Sequence, residues 1–282
     1  MSGAVGETGI LRNELELQII GLQRSGNHAV LAWIFQQFEK PVYFFNNVKH
    51  FGDPIADFQP LDLPNTLVLR RGKSPGRQRQ LEIVRNAAKE VIAYSYENLQ
   101  LAELADRPLV PERERLLGKS RIFRRVLIIR DFHNWLASRV RYHEKTRMAV
   151  PSYGQANRFI KMWIAYAREY VGQTKYLEVS GFVRVSYNRW ASEVDYRLDL
   201  LAQLSIAARF NDISYVPDAG GGSSFDATAF SGRSSEMQTN DRWRYLENER
   251  FGGVLDCVNA HREEVEDCSR MLRQAEFGPP AS

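Results

Sequence analysis

Short apolar runs recur along the chain, separated by longer segments in which apolar residues return every three or four positions. The runs LQIIG (17–21), VYFF (42–45), TLVL (66–69), VIAYS (91–95), RVLIIR (125–130) and FVRVS (182–186) read as strands. The unbroken apolar character of VLII suits a strand covered on both faces. Helical patterns cover 26–38, 78–88, 132–145, 153–173, 189–206, 242–251 and 253–275. Strands separated by helices predict a three-layer α/β/α fold around a central, mostly parallel, doubly wound sheet. There is no internal repeat, and residues 1–282 read as a single domain. Loose segments are expected at 1–14, 70–80 and 107–121, and at the Gly/Ser-rich 218–235, which reads as a loop or lid.

Composition narrows the class without naming a function. A chain of 282 residues with 44% hydrophobic and 26% charged residues can bury one large core. Its apolar stretches are interrupted by Gln23, Arg24 and Asn27, so no membrane span is expected. The N-terminal residues lack the basic and apolar regions of a secretory signal, and Cys257 and Cys268 make no disulfide framework. A reducing, cytoplasmic setting is the expectation. The net charge of +4 is mild. It concentrates in RRGKSPGRQRQ (70–80) and RVRYHEKTR (139–147), which read as solvated loops or as a lure for an anionic ligand. Neither interleaves aromatics in a nucleic-acid module, and no nucleic-acid partner is expected.

The chemistry concentrates first in LQIIGLQRSGNHAVLAWIF (17–35). A strand that enters a Gly-bounded turn and then a helix aims backbone N–H groups and a positive helix end at one point. Gly21 and Gly26 have the spacing of the phosphate-binding pattern G-x-x-x-x-G-K-[ST], which makes the fold P-loop NTPase-like. Asn27 and His28, however, stand where the Lys and the magnesium-holding hydroxyl belong. Metal-assisted phosphoryl transfer therefore lacks two of its parts. A sulfonate carries less charge than a terminal phosphate and needs less neutralisation. One cation, Arg24, together with N–H donors would serve it.

At Arg24-Ser25-Gly26-Asn27 the sequence resembles the sulfotransferase superfamily, whose loop carries a basic residue, Ser-Gly and a polar residue. The resemblance implies a P-loop-like α/β fold and the co-substrate 3′-phosphoadenosine 5′-phosphosulfate. It also implies a receptor for the 3′-phosphate: an Arg at a strand end and a Ser eight residues later. Arg130 and Ser138 in RRVLIIRDFHNWLASRVRYH have that spacing. Tyr187, in the turn after 182–186, matches a residue near the adenine in relatives. Relatives close a basic, Gly-containing loop over the 3′-phosphate, and 218–235, with Ser223, Ser224 and Arg233, is the corresponding segment here. The donor-binding set is thus Arg24, Ser25, Gly26, Asn27, His28, Arg130, Ser138 and Tyr187.

Attack on sulfur requires a group to take the acceptor's proton. Glu97, at the end of EVIAYSYENLQL, is the first candidate, His50 the second with Lys49 beside it, and His28 is better placed as a donor to the sulfonate. His133, His143 and His261 show no ligand spacing, and no metal is expected. The acceptor is a hydroxyl or amine of a small molecule or glycan. Two other classes fit less of the pattern: a nucleotide or sugar kinase with substitutes for the missing Lys and hydroxyl, and a non-catalytic nucleotide-binding module.

Overall fold

The structure is a computed structural model and describes residues 10–49, 58–67, 69, 75–105, 114, 116–218 and 222–277. Its centre is a sheet of six strands: β1 (Leu11–Gly21), β2 (Val42–Phe45), β3 (Thr66–Leu67), β4 (Lys89–Glu97), β5 (Lys119–Ile129) and β6 (Phe182–Ser186). Their order is β3-β2-β4-β1-β5-β6, and every pairing is parallel. Helix α1 (Asn27–Phe35) follows β1, α2 (Pro75–Asn86) precedes β4, and the short α3 (Leu101–Ala105) follows β4. After β5 come α4 (Phe132–Arg147) and α5 (Tyr153–Tyr170); α6 (Tyr187–Ser192) and α7 (Val194–Leu204) follow β6; α8 (Gly252–Ala260) and α9 (Arg262–Phe277) end the described chain.

Strand alternation divides the core. Leu17 and Ile19 of β1 and Val126 and Ile128 of β5 join the cluster on one face, with α1, α6 and α7. Ile20, Leu127 and Ile129 join the cluster on the other face, with α4, α5, α8 and α9. Both faces of the central strands are buried, which is why the β5 run reads as continuously apolar.

Several boundaries differ from the sequence reading. Strand β1 starts at Leu11, so residues 11–14 are strand rather than loose terminus, and residues 119–121 open β5 rather than belonging to a loop. Polar pairing extends both strands: Asn13 Nδ2 donates to Leu117 O (3.2 Å), Gly118 O (3.1 Å) and Ser120 Oγ (2.9 Å). Arg121 pairs with Glu14 at 2.7 Å. The helix read over 78–88 begins earlier, at Pro75, so residues 75–77, expected to be loop, open α2. The pattern at 189–206 is two helices, broken at extended Glu193, where the Trp190 carbonyl accepts from Arg197 Nη1 at 2.7 Å. The 253–275 pattern breaks at His261, whose ring bonds Asn157 at 2.7 Å, and 242–251 is a pair of 3₁₀ turns.

The fold places the carboxyl ends of β1, β4, β5 and β6 side by side. Gly21 pairs with both Glu97 and Ile128, and Ile129 with Ser186. The chain steps from β4 over β1 to β5, so strand order reverses around β1, where open α/β sheets carry their ligands. One side chain fixes the β5 end. Trp163 of α5, fully buried, donates its indole N–H to the Arg130 carbonyl at 2.9 Å. Trp163→Phe keeps an aromatic ring and removes this donor; urea titration is expected to show a loss of roughly 2–4 kcal/mol with an unchanged m-value.

Candidate active site

The loop between β1 and α1 is held from two sides. Gln23 N–H donates to Asn98 Oδ1 at 2.9 Å, beyond β4, and Gln23 O accepts the indole N–H of Trp135 of α4 at 3.1 Å. The backbone then turns through left-handed Arg24 (φ 75°) and Gly26 (φ 88°). Gly26 is also a steric requirement: a Cβ there would lie 2.2 Å from the Tyr187 ring. Gly21 is one for another reason, since its Cβ would lie 2.3 Å from Asn27 Oδ1. Asn27 folds back to donate to Leu22 O at 3.1 Å. Among the described residues, buried Ser25 Oγ and Asn27 Oδ1 have no hydrogen-bond partner.

Arg130 leaves the end of β5 and is 2% exposed. Its Nη1 donates to Ser138 Oγ at 3.3 Å, its Nη2 to Thr239 O, and its guanidinium lies 5.0 Å from the centroid of the Tyr187 ring. The Tyr187 ring therefore touches both the Gly26 turn and Arg130. Arg130 Nε has no hydrogen-bond partner among the described residues, and Asp131 Oδ2 stands 3.9 Å from it. Arg24 donates to Ser224 Oγ and to Gly222 O, each at 2.7 Å, and sits over the Tyr142 ring. Arg242 donates to Ser223 Oγ at 2.9 Å and lies 3.4 Å from Asp226. Burial, and then the charge of Arg130, hold Arg242 down to about 10. Burial lowers Arg24 as well; Tyr142 and Glu97 work against this and Arg130 adds to it.

These groups line one cavity of about 550 Å³, with Arg130, Ser138 and Arg242 on its wall together with Arg24, His28 and Glu97. His28 Nε2 lies 3.2 Å from Asn46 Oδ1 and 3.9 Å from Glu97 Oε1. Of the expected donor-binding set, Arg24, Gly26, Asn27, His28, Arg130, Ser138 and Tyr187 line the cavity; Ser25 is buried behind it. Ser223 and Ser224 line it too, whereas Arg233 is exposed and pairs with Glu236. Arg242, and not Arg233, is the arginine of the segment after residue 222 that lines the cavity. His50 lies outside the described residues. Lys49 is exposed, His143 bonds Ala149 O, and His133 faces a neighbouring groove. Among the described residues no three His, Cys, Asp or Glu side chains group to hold a metal, and no helix is long and apolar enough to cross a membrane.

Neither a family model nor a curated protein sequence matches the chain. Solved structures do. Mouse sulfotransferase SULT7A1, complexed with PAP, superposes with a TM-score of 0.50 at 11% identity, over 96% of this chain and 91% of that one. The fold is the sulfotransferase fold. Two further sulfotransferase structures are similar at a TM-score of 0.43 each. The enzyme from Alicyclobacillus acidocaldarius is 14% identical over 89% of this chain and 96% of its own. The sulfotransferase domain of the Synechococcus PCC 7002 olefin synthase is 12% identical over 90% and 96%.

Within this sulfotransferase fold, the residues missed in the sequence are Arg242, Thr239, Asn46 and Tyr142. Tyr142 was accessible, because it stands one helical turn after Ser138 on α4 and shares its face. Arg242 carries no local mark to separate it from Arg244 or Arg250. Replacing Gly26 by Ala demands a left-handed Ala and displaces Tyr187; thermal melts should report a loss of roughly 2–3 kcal/mol. Gly154→Ala, where an added methyl meets nothing within 4 Å, should match or exceed the parent.

Proposed function

We propose that residues 1–282 form one sulfotransferase unit that moves a sulfonate from 3′-phosphoadenosine 5′-phosphosulfate to a hydroxyl or amine of a small molecule or glycan. The observation that carries this reading is the convergence of Arg130, Ser138 and Arg242 in the cavity that also holds the Gly21–Gly26 turn and Glu97. A buried atom without a partner supports the fit, since Arg130 Nε, on a residue that lines the cavity, is a donor a multiply charged ligand would satisfy. So does the SULT7A1 structure of the same fold, which holds PAP.

In this reading Arg130, Ser138 and Arg242 hold the 3′-phosphate, Arg in its bidentate mode. Tyr187, with Trp190 beside it, flanks the adenosine. Arg24 and the loop amides steady the transferring group, with His28 beside them. The donor supplies an activated sulfonate: a new bond from sulfur to the acceptor forms as the bond from sulfur to the phosphate oxygen breaks. Glu97 takes the acceptor's proton, and Arg24 offsets the charge left on that oxygen.

Two measurements test it. Calorimetry with 3′-phosphoadenosine 5′-phosphate should show tight binding, weakened by roughly 30-fold or more in Arg130→Ala through loss of charge-assisted hydrogen bonds. An unchanged affinity would remove Arg130 from the site. Glu97→Gln should keep that affinity and lose roughly 10²–10⁴ in kcat, read as sulfonate gained by an acceptor panel in mass spectrometry. Full turnover would exclude Glu97 as the base.

A further inference from the structure

Behind the cavity wall, hydrogen bonds run from the β2–β4 seam to His28. Asn47 N–H donates to Ser95 Oγ at 2.9 Å, Ser95 Oγ donates to Asn46 Oδ1 at 3.1 Å, and the same Oδ1 stands 3.2 Å from His28 Nε2. Ser95 and Asn46 are buried, at 3% and 5% exposure. The hydrogens along this chain can be counted. A serine hydroxyl has one proton. With Ser95 Oγ already accepting from Asn47, that proton goes to Asn46 Oδ1; a buried hydroxyl proton without an acceptor would cost free energy. This orients the Asn46 carboxamide with its oxygen toward His28. An amide oxygen accepts and cannot donate, so the proton between Asn46 and His28 belongs to Nε2.

We infer that Asn46 and Ser95 are positioning residues that lock His28 as the Nε2–H tautomer and so divide the roles in the site. The edge of the imidazole that faces Glu97 then presents an N–H and has no lone pair with which to take the acceptor's proton. Glu97 Oε1, 3.9 Å away, is too distant to share that hydrogen and keeps its own lone pairs. The inference rests on the proposed sulfonate transfer for its meaning, and on the hydrogen-bond chain alone for its content.

The test uses the full chain labelled with ¹⁵N-histidine, with the His28 signals identified by their loss in His28→Gln. Two-bond ¹H–¹⁵N correlation should show a single Nε2–H form, with the Nε2 proton directly observed because Asn46 shields it from exchange. Asn46→Leu should remove that proton signal and average the two ring nitrogens. Ser95→Ala, the milder variant, should broaden it while the backbone amide spectrum stays that of the folded protein. Asn46→Leu should also lower kcat by roughly tenfold, the effect of one lost hydrogen bond, at unchanged affinity for 3′-phosphoadenosine 5′-phosphate. An Nδ1–H form in the parent protein, or a protected Nε2 proton that persists in both variants, would overturn the relay even with sulfonate transfer intact. Absent transfer with the protected Nε2–H signal in place would instead defeat the functional reading and leave the relay standing.

Discussion

A buried guanidinium at the end of β5 sets the terms for everything around it. Arg130 is almost wholly withdrawn from water, and its nearest carboxylate, Asp131, is 3.9 Å from Nε. A buried cation without a close counterion costs several kcal/mol unless hydrogen bonds and a partner charge offset it. The fold supplies the hydrogen bonds from separate places: Ser138 from α4, Thr239 from the C-terminal segment, and Trp163 from α5 holding the carbonyl of the same residue. No carboxylate among the described residues hydrogen-bonds the guanidinium, which borders the cavity. Arg242, held down to about 10 partly by Arg130, adds to the cost, because each cation makes the other harder to bury.

The neighbouring turn resembles an ATP-binding loop in outline and differs from it in what its glycines do. In Gly21–Gly26, one glycine makes room for the Asn27 carboxamide and the other for the Tyr187 ring. Where a lysine would extend toward terminal phosphates, Asn27 turns back onto the strand end and caps Leu22 O. The cation of this loop is Arg24, which leaves a left-handed backbone position and reaches the 222–224 turn. The positive charge thus stands to one side of the cradle.

How much of this was legible in the sequence follows the range of the interactions. Strands buried on both faces announce themselves by composition, so VLII and LQII were found at nearly the right place. The Arg130–Ser138 pair was legible through the family resemblance, and one strand end and one helix fix its geometry within eight residues. The outer ends of β1 and β5 were missed, since Asn13, Glu14 and Arg121 look like loop residues until their partners about a hundred positions away are known. Arg242 was missed for the same reason: 112 positions separate it from Arg130 (242 − 130), and only the folded chain brings it to that cavity. The break at Glu193 was invisible because helical periodicity runs through it.

The contacts that close the cavity explain why its positive field survives. Arg24 meets Gly222 O and Ser224 Oγ, and Arg242 meets Ser223 Oγ; all three acceptors are neutral. Asp226, at 3.4 Å from Arg242, is the charged exception and is itself shared with Ser223. Hydrogen bonds to neutral oxygens orient a guanidinium without cancelling its charge, and bonds to anionic oxygens are roughly twice as strong. Here burial lowers Arg24 and Arg139, while Tyr142 and Glu97 work against it. These contacts orient the guanidinium groups of Arg24 and Arg242 at the cavity wall, chiefly through neutral oxygens, without cancelling their charge.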